Sequence, residues 1–161
     1  GYHLGEHDFW AKVSLHDESA RVPLIISVPG NTPAVCNSLT ELLDLYPTIA
    51  GLCGLRSPSR LQGKDISKML TNPLYEVRDA AFCVNGKGYL LRSKQWAYIQ
   101  YGRSGDGGEE LFDMTNDPKQ YNNLASDVRY VEVVKHYRML MDAKIKAVLE
   151  NDLGLSYSLK R

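Results

Sequence analysis

Near residue 78 the hydrophobic pattern of this chain changes its period. Between 80 and 114, apolar and polar residues alternate in short runs, which is typical of strands with two different faces. Asn85-Gly86 is a strong hairpin signal between the first two of four predicted strands, which are 80–84, 88–92, 96–101 and 110–114. From Val128 to Glu150 the period is helical. The pattern predicts an antiparallel sheet covered on one face by one long helix.

The first seventy residues show a different pattern. Val22–Val28 is a continuous apolar run, as expected of a strand buried on both faces in a parallel or mixed sheet. A helix is predicted from about Tyr46 to Gly54, with Asp44 as its N-cap, and it is predicted to bury three residues: Ile49, Leu52 and Cys53. A second short helix is predicted over 65–70.

Composition limits the classes of function. A chain of 161 residues is one domain, or one and a half. Nineteen basic residues balance nineteen acidic ones, which gives no sign of a surface for nucleic acid. No apolar run approaches the roughly 20 residues that cross a membrane, so no membrane partner is expected. The number of cysteines is odd, which argues against a disulfide framework and leaves the redox compartment open: Cys36, Cys53 and Cys83.

The first twelve residues form the segment richest in chemically versatile side chains. They read Gly1-Tyr-His-Leu-Gly-Glu-His-Asp-Phe-Trp-Ala-Lys12, and the apolar strand Arg21-Val-Pro-Leu-Ile-Ile-Ser-Val-Pro-Gly30 follows shortly after. Polar, glycine-rich loops beside buried strands are where α/β enzymes keep their chemistry. His3, His7 and His16 with Glu6 have the composition of a zinc site, but the spacing H-x3-H-x8-H fits no standard one.

These blocks resemble the type I sulfatases, the formylglycine-dependent enzymes of the alkaline-phosphatase superfamily. In that family a run D-H-G-x-x-L-G-E-H-G-x-W-x-K is followed by a strand such as R-V-P-L-I. Two later blocks are similar to family segments and stand in the family's order: Leu43-Asp-Leu-Tyr-Pro-Thr-Ile-Ala-Gly-Leu-Cys-Gly-Leu55 and Glu110-Leu-Phe-Asp-Met-Thr-Asn-Asp-Pro-Lys-Gln-Tyr-Asn-Asn-Leu-Ala125. Within the family, the spacing is most similar to the iduronate-2-sulfatase subfamily and its bacterial relatives.

The resemblance implies a fragment of an α/β, alkaline-phosphatase-like fold. Residues 1–70 would be the C-terminal remnant of the large α/β domain, and 71–161 a C-terminal α+β subdomain. The implied activity is hydrolysis of a sulfuric ester, on a sulfated carbohydrate such as a glycosaminoglycan. The implied compartment is secreted, periplasmic or lysosomal, and the sequence does not decide among these.

Calcium and formylglycine are the cofactors that the resemblance implies for the full-length enzyme. No metal ligand is expected within this chain, because the family's metal-binding Asp-His pair would lie immediately before Gly1. The isolated chain is therefore expected to be inactive, with the missing N-terminal sulfatase portion as its partner. Arg56-Ser-Pro-Ser-Arg60 is similar to the nucleophile motif C-x-P-S-R, but arginine occupies the nucleophile position, and the segment is interpreted as a turn.

Lys12 is the candidate catalytic residue, since it matches the family lysine that bridges the sulfate and the formylglycine. Its ammonium is a compact point charge that suits a tetrahedral oxyanion. The alternative is a solvated lysine on a loop. His3 and His7 are candidates for substrate binding together with Lys12, and the alternative for His7 is that it orders the loop by hydrogen bonds. Asp8 replaces the glycine usual in the family, which leaves the local backbone geometry open.

Two alternative functions remain. One is a phosphodiesterase or phosphonate hydrolase of the same superfamily. The other is a non-catalytic domain derived from a sulfatase. An aromatic stripe on the third predicted strand also has two interpretations, as core of the sheet or as a stacking platform for carbohydrate: Trp96, Tyr98 and Tyr101.

Overall fold

The computed structural model describes residues 1–150 and contains a four-stranded antiparallel sheet and a long C-terminal helix. The strands are paired in sequence order, and their bounds are β1 Ala80–Asn85, β2 Gly88–Ser93, β3 Trp96–Tyr101 and β4 Glu109–Asp113. The predicted hairpin between β1 and β2 is confirmed. Asn85 pairs with Gly88, and Gly86 takes the left-handed backbone conformation that this tight turn requires.

One face of the sheet is covered by the predicted helix, α3, which spans Val131–Leu149. Its buried side chains recur every three or four residues, so they form one stripe along the helix: Val134, Tyr137, Met141 and Ile145. This stripe packs on side chains of the three strands nearest to it: Tyr89, Leu91, Tyr98 and Leu111. The sheet-and-helix arrangement predicted from the change of period is therefore confirmed.

The opposite face of the sheet is covered by the N-terminal segment. This segment contains a short 3-10 turn, Glu6–Asp8, and a one-turn helix, α1, Asp17–Ala20. Between them, Leu15 is 3% exposed and inserts among apolar side chains of β2, β3, β4 and the residue that follows β4: Leu90, Ala97, Ile99, Phe112 and Met114. The N-terminal segment and the sheet thus share one hydrophobic cluster.

The apolar run Val22–Val28 does not form the predicted strand. Its backbone is without regular structure, and Ile25 is 90% exposed. A strand is stabilised by backbone pairing with a neighbour, and within residues 1–150 this run has no paired neighbour.

No helix within residues 1–150 is long and apolar enough to cross a membrane.

The predicted helix near Tyr46 is present as α2, Leu45–Leu52, after a 3-10 turn, Leu42–Asp44. Gly54 follows it in the left-handed conformation, as expected after a helix end. The predicted burial is wrong, because the side facing the rest of the molecule carries Pro47 and Thr48. The three residues predicted to be buried all belong to the exposed side: Ile49, Leu52 and Cys53. The second short helix is a 3-10 turn, Ser67–Leu70.

Asp44 occupies the predicted N-cap position of α2, but its side chain makes no capping hydrogen bond there and is instead the polar centre of this region. Its carboxylate is fully buried and accepts hydrogen bonds from the backbone N–H groups of Glu41 and Lys64, both at 2.8 Å. The guanidinium of Arg78 binds both carboxylate oxygens, one of them at 2.6 Å. Burial opposes ionisation, but these hydrogen bonds outweigh it and lower the pKa of Asp44. The pair joins the α2 region to the chain just before β1.

We expect the Met141→Ala substitution to lower the free energy of unfolding by about 2–5 kcal/mol, the usual cost of an emptied core site. Met141 is 0% exposed at the centre of the α3 stripe. Met139→Ala is the matched control, since Met139 is 63% exposed on the same helix, and it should change stability by less than about 0.5 kcal/mol. Urea unfolding followed by circular dichroism measures both. Equal effects of the two substitutions would contradict the packing of α3.

The lowered pKa of Asp44 predicts a loss of stability in acid. A carboxyl whose pKa is lower in the folded state stabilises the fold above the unfolded value of about 3.9, and this contribution disappears as the pH falls through the folded value. Asp44→Asn should lose about 3–5 kcal/mol near neutral pH because the buried Arg78 loses the carboxylate that binds it through two oxygens and keeps only Glu41, 3.5 Å from its Nε. The variant should also show a weaker decline of stability in acid than the parent chain. The exposed Glu132→Gln variant serves as the control and should keep the parent's pH dependence.

Candidate functional site

A cleft of about 400 Å³ lies where the N-terminal segment meets the sheet. Three of the chain's four histidines line it, together with residues of the loop and of the β1–β2 turn: His3, His7, His16, Phe9, Asn85 and Gly86. Tyr101, at the end of β3, closes one side. The sequence analysis named His3 and His7 as site residues, and the structure brings both to this cleft.

His3 is fully buried, and both of its ring nitrogens are engaged. Nδ1 lies 3.2 Å from the carbonyl oxygen of Glu6, and Nε2 lies 2.7 Å from the hydroxyl of Ser14. Because a carbonyl oxygen can only accept, Nδ1 carries the proton, and in the neutral ring Nε2 accepts from Ser14. A ligand contact through a nitrogen of His3 would therefore require this network to rearrange.

His7 lies in a strained part of the loop. Both His7 and Asp8 have left-handed backbone conformations, with φ of 58° and 52°. Asp8 thus adopts a geometry that glycine reaches more easily, although aspartate tolerates it better than most residues. The His7 ring stacks on the ring of His16, with centroids 4.3 Å apart and planes 14° apart. Its Nε2 is 3.7 Å from Glu18, and within residues 1–150 neither of these two buried atoms has a hydrogen-bond partner.

His16 connects the cleft to the sheet. Its Nε2 lies 2.9 Å from one carboxylate oxygen of Glu110, on β4. The other oxygen of Glu110 accepts a hydrogen bond from the Tyr101 hydroxyl, at 3.2 Å. Burial first, and the negative charge of Glu110 second, raise the pKa of Tyr101 to about 12. The Tyr101 hydroxyl therefore stays protonated at neutral pH and donates its hydrogen bond to Glu110.

Sequence reasoning did not identify Glu110 and Ser14 as site residues. The signal for Glu110 is its position in β4, because it shares the inward face with Phe112, two residues on. A charged side chain at an inward position of a strand needs a partner, and His16 provides it. Ser14 carries no comparable signal in the sequence.

Lys12 is exposed, and among residues 1–150 its side chain has no hydrogen-bond or ion-pair partner. It directly precedes Val13 and Ser14, which line the cleft. The loop that ends at Lys12 is closed by a backbone hydrogen bond of 2.8 Å from His3 to the carbonyl of Ala11. The ammonium of Lys12 is therefore available to an anion at the edge of the cleft.

The residues described do not fit calcium. In residues 1–150 no group of three or more His, Cys, Asp or Glu side chains is placed to hold a metal ion. Calcium takes six to eight oxygen ligands, whereas the residues that line the cleft include three imidazoles and no carboxylate. The three cysteines are free thiols, and burial raises the pKa of Cys83. Residues 56–60 are exposed, as expected of the predicted turn.

The aromatic stripe of β3 divides between the two faces of the sheet. Tyr98 is buried under α3, and Trp96 packs edge-on against Tyr130. For these two residues, core packing is confirmed. Tyr101 faces the opposite side and lines the cleft.

A second cleft, of about 500 Å³, lies between the β3–β4 loop and α3. Its main charged group, Arg138, is already paired with Glu109.

Comparison with known proteins identifies the kind of chain this is. Residues 5–147 match the family model for the C-terminal region of N-sulphoglucosamine sulphohydrolase. Arylsulfatase K of Bos taurus is 30% identical over an aligned length of 158, and the match covers 89% of this chain and 28% of that protein. The delta 4,5-hexuronate-2-O-sulfatase of Bacteroides thetaiotaomicron is 31% identical over an aligned length of 143, and the match covers 81% of this chain and 29% of that protein. The chain thus spans less than a third of these relatives.

Solved structures share the fold. A sulfatase candidate from Bacteroides thetaiotaomicron is 28% identical with a TM-score of 0.81, covering 91% of this chain and 34% of that one. A protein solved with its substrate D-glucosamine-2-N,6-O-disulfate is 26% identical with a TM-score of 0.76, covering 94% of this chain and 33% of that one. The phosphonate monoester hydrolase of Silicibacter pomeroyi has a TM-score of 0.79 at 21% identity, covering 91% of this chain and 33% of that one, and shows the fold alone.

The contact between Tyr101 and Glu110 predicts a measurable change in titration. In Glu110→Gln the negative charge is lost, so the pKa of Tyr101 should fall from about 12 toward the ordinary tyrosine value of about 10. Ultraviolet difference titration of the parent chain and the variant measures the change, with Glu132→Gln as the control. Identical titration curves for the parent chain and Glu110→Gln would contradict the contact.

Proposed function

This chain belongs to the family of N-sulphoglucosamine sulphohydrolase C-terminal regions, and on that premise we propose that it is the C-terminal part of a sulfatase. The observation that carries the proposal is the match over 5–147, which includes the segment that ends in the unpaired Lys12. In the proposed enzyme the chain supplies one edge of the substrate site. The rest of the site belongs to the other part of the protein.

The proposed substrate is a sulfated saccharide of the glycosaminoglycan type. Two comparisons support this class, a relative named as a hexuronate-2-O-sulfatase and a similar structure solved with a disulfated glucosamine. The spacing of the G-E-H-x-x-W-x-K and V-P-L-I blocks also favours an enzyme like iduronate-2-sulfatase. We therefore propose the 2-O-sulfate of a uronate sugar as the first substrate to assay.

Lys12 has the proposed catalytic role. An ammonium placed at the sulfate lowers the barrier by stabilising the negative charge on its oxygens as the ester bond breaks. Because Lys12 has no partner among residues 1–150, no ion pair there has to break before it contacts the substrate. His3 and His7 are proposed to line the sugar side of the cleft. The Nε2 atom of His7 is buried and faces Glu18, so a contact with the sugar through this nitrogen would require the loop to rearrange.

Calcium and formylglycine are part of the proposal for the complete enzyme, where they would supply a Lewis acid and the nucleophile. Residues 1–150 offer no metal cluster, and no cysteine in the chain lies in a C-x-P-S-R motif. The groups that hold and form these cofactors are therefore proposed to lie in the missing N-terminal sulfatase portion. On this basis the 161-residue chain alone is proposed to be inactive.

The proposed domain division places 1–70 with the large α/β domain and 71–161 in the C-terminal subdomain. Support comes from apolar side chains that are exposed around α2, including Leu42, Tyr46 and Ile49, and from the exposed run Val22–Val28. Such surface is normally covered by protein. Leu15 lies at the contact between the two parts, because it is buried in the sheet.

We expect Lys12→Ala, in the complete enzyme that carries this chain, to lower turnover of a 2-O-sulfated uronate disaccharide about 10²–10³-fold. This is the scale of losing one donor to a developing oxyanion. Lys135→Ala is the control, because Lys135 is exposed on α3, away from the cleft. Release of sulfate, followed by ion chromatography, measures both variants. Parent-like kinetics for Lys12→Ala would refute the role of Lys12.

The alternative reaction, phosphonate or phosphodiester hydrolysis, is tested with the same preparation. The likeness to a phosphonate monoester hydrolase motivates the assay but shows the fold alone. An aryl phosphonate monoester and an aryl sulfate are compared by their kcat/KM values. A higher value for the phosphonate would replace the proposed sulfatase activity.

A further inference from the structure

The segment that carries Lys12 is fastened to the sheet by polar contacts between residues distant in sequence. His16 and Glu110, 94 residues apart, are in contact at 2.9 Å. Tyr101 donates to the free oxygen of Glu110, so this carboxylate is held from two sides. All three side chains lie on the sheet face opposite α3, next to the buried Leu15.

The residue after His16 adds two further contacts. The guanidinium of Arg92, on β2, donates to both carboxylate oxygens of Asp17, at 3.1 and 3.2 Å. The backbone N–H of Asp17 donates to the side-chain oxygen of Gln120, at 2.7 Å. Gln120 is itself fully buried, so its position is fixed. His16 and Asp17 are thus held by three separate parts of the C-terminal half.

The contact continues from His16 to the loop through the stacked rings of His7 and His16. The loop around His7 is closed by backbone hydrogen bonds from Gly5 to Phe9, at 3.2 Å, and from His3 to Ala11, at 2.8 Å. Lys12 is the next residue after this closure. A change in the position of the His16 ring would therefore move the backbone from which Lys12 extends.

We propose that His16 and Glu110 are positioning residues for Lys12: the sheet fixes the His16 ring, and the ring fixes the loop through His7. The effect on turnover rests on the role proposed for Lys12, whereas the order of the loop does not. Neither His16 nor Glu110 needs to contact the substrate in this arrangement.

Amide hydrogen exchange on the full chain tests the positioning. The probes are the amides of His3, Gly5 and Phe9, which close the loop, and the reference amides are those of the β2–β3 ladder. Both sets of amides are measured in the parent chain and in each variant under the same conditions. Loss of the contact between His16 and Glu110 should lower the protection of the loop amides, while the reference amides change little.

Two substitutions of Glu110 separate loss of the contact from a conservative change. Glu110→Ala removes the acceptor and should lower loop protection about tenfold, the effect of losing one hydrogen bond to a charged group. Glu110→Gln keeps an acceptor of similar shape at the same place, so it should restore most of the protection. His136→Gln, on the exposed side of α3, is the control for the corresponding His16→Gln variant. Parent-like loop protection in Glu110→Ala would refute the proposal.

Kinetics in the complete enzyme then distinguish this proposal from the function of Lys12. Glu110→Ala should lower kcat/KM several-fold, and the conservative Glu110→Gln variant should recover most of this loss. If Lys12→Ala is without effect while the exchange results hold, the loop is positioned as proposed and the role of Lys12 is wrong. If Lys12→Ala is impaired and Glu110→Ala keeps the parent's kinetics, the positioning role is wrong.

Discussion

Strand β3 is buried on both of its faces, and this burial requires a cover on each side of the sheet. Ala97, Tyr98 and Ile99 are without exposed surface. The α3 helix covers the Tyr98 side, and the N-terminal segment covers the side of Ala97 and Ile99 through Leu15. Burying a leucine side chain contributes about 1.5–3 kcal/mol. Because the sheet depends on both covers, the loop that carries Lys12 is part of the core structure of the chain.

On the sheet face opposite α3, apolar and polar contacts have different effects. Leu15 supplies burial, which is strong but has little directional preference. His16 and Asp17 follow it directly, and their hydrogen bonds to Glu110 and Arg92 have defined lengths and angles. Half-buried ion pairs add little net stability, since desolvation offsets much of the attraction. Their main effect here is to select one register between the N-terminal segment and the sheet. Asp44 and Arg78 have the same effect for the α2 region.

The parts of the fold that follow from local patterns could be predicted from the sequence. Strand and helix periods, and the Asn85-Gly86 turn, depend on neighbours within a few residues. The run Val22–Val28 could not be predicted in this way, since a strand needs a partner and periodicity does not show whether one is present. The same limit explains the inverted burial of α2, because an apolar pattern shows which side of a helix can be covered but not what covers it. Lys12 was found by resemblance, whereas the pairing of His16 with Glu110 joins residues that no local pattern connects.

The strained backbone beside Lys12 gives a physical reason for this distant support. Left-handed conformations at His7 and Asp8 cost about 1–2 kcal/mol each for residues other than glycine, although aspartate is among the more tolerant. Such strain persists where the surroundings determine the conformation more strongly than the local backbone does. Here the surroundings are the stack on His16 and the backbone closure from His3 to Ala11. If the sheet did not hold His16, the loop would be free to relax toward the extended conformations that both residues prefer. The strain in the loop and the contact between His16 and Glu110 are therefore linked, because burial of the sheet maintains the geometry of the loop that ends at Lys12.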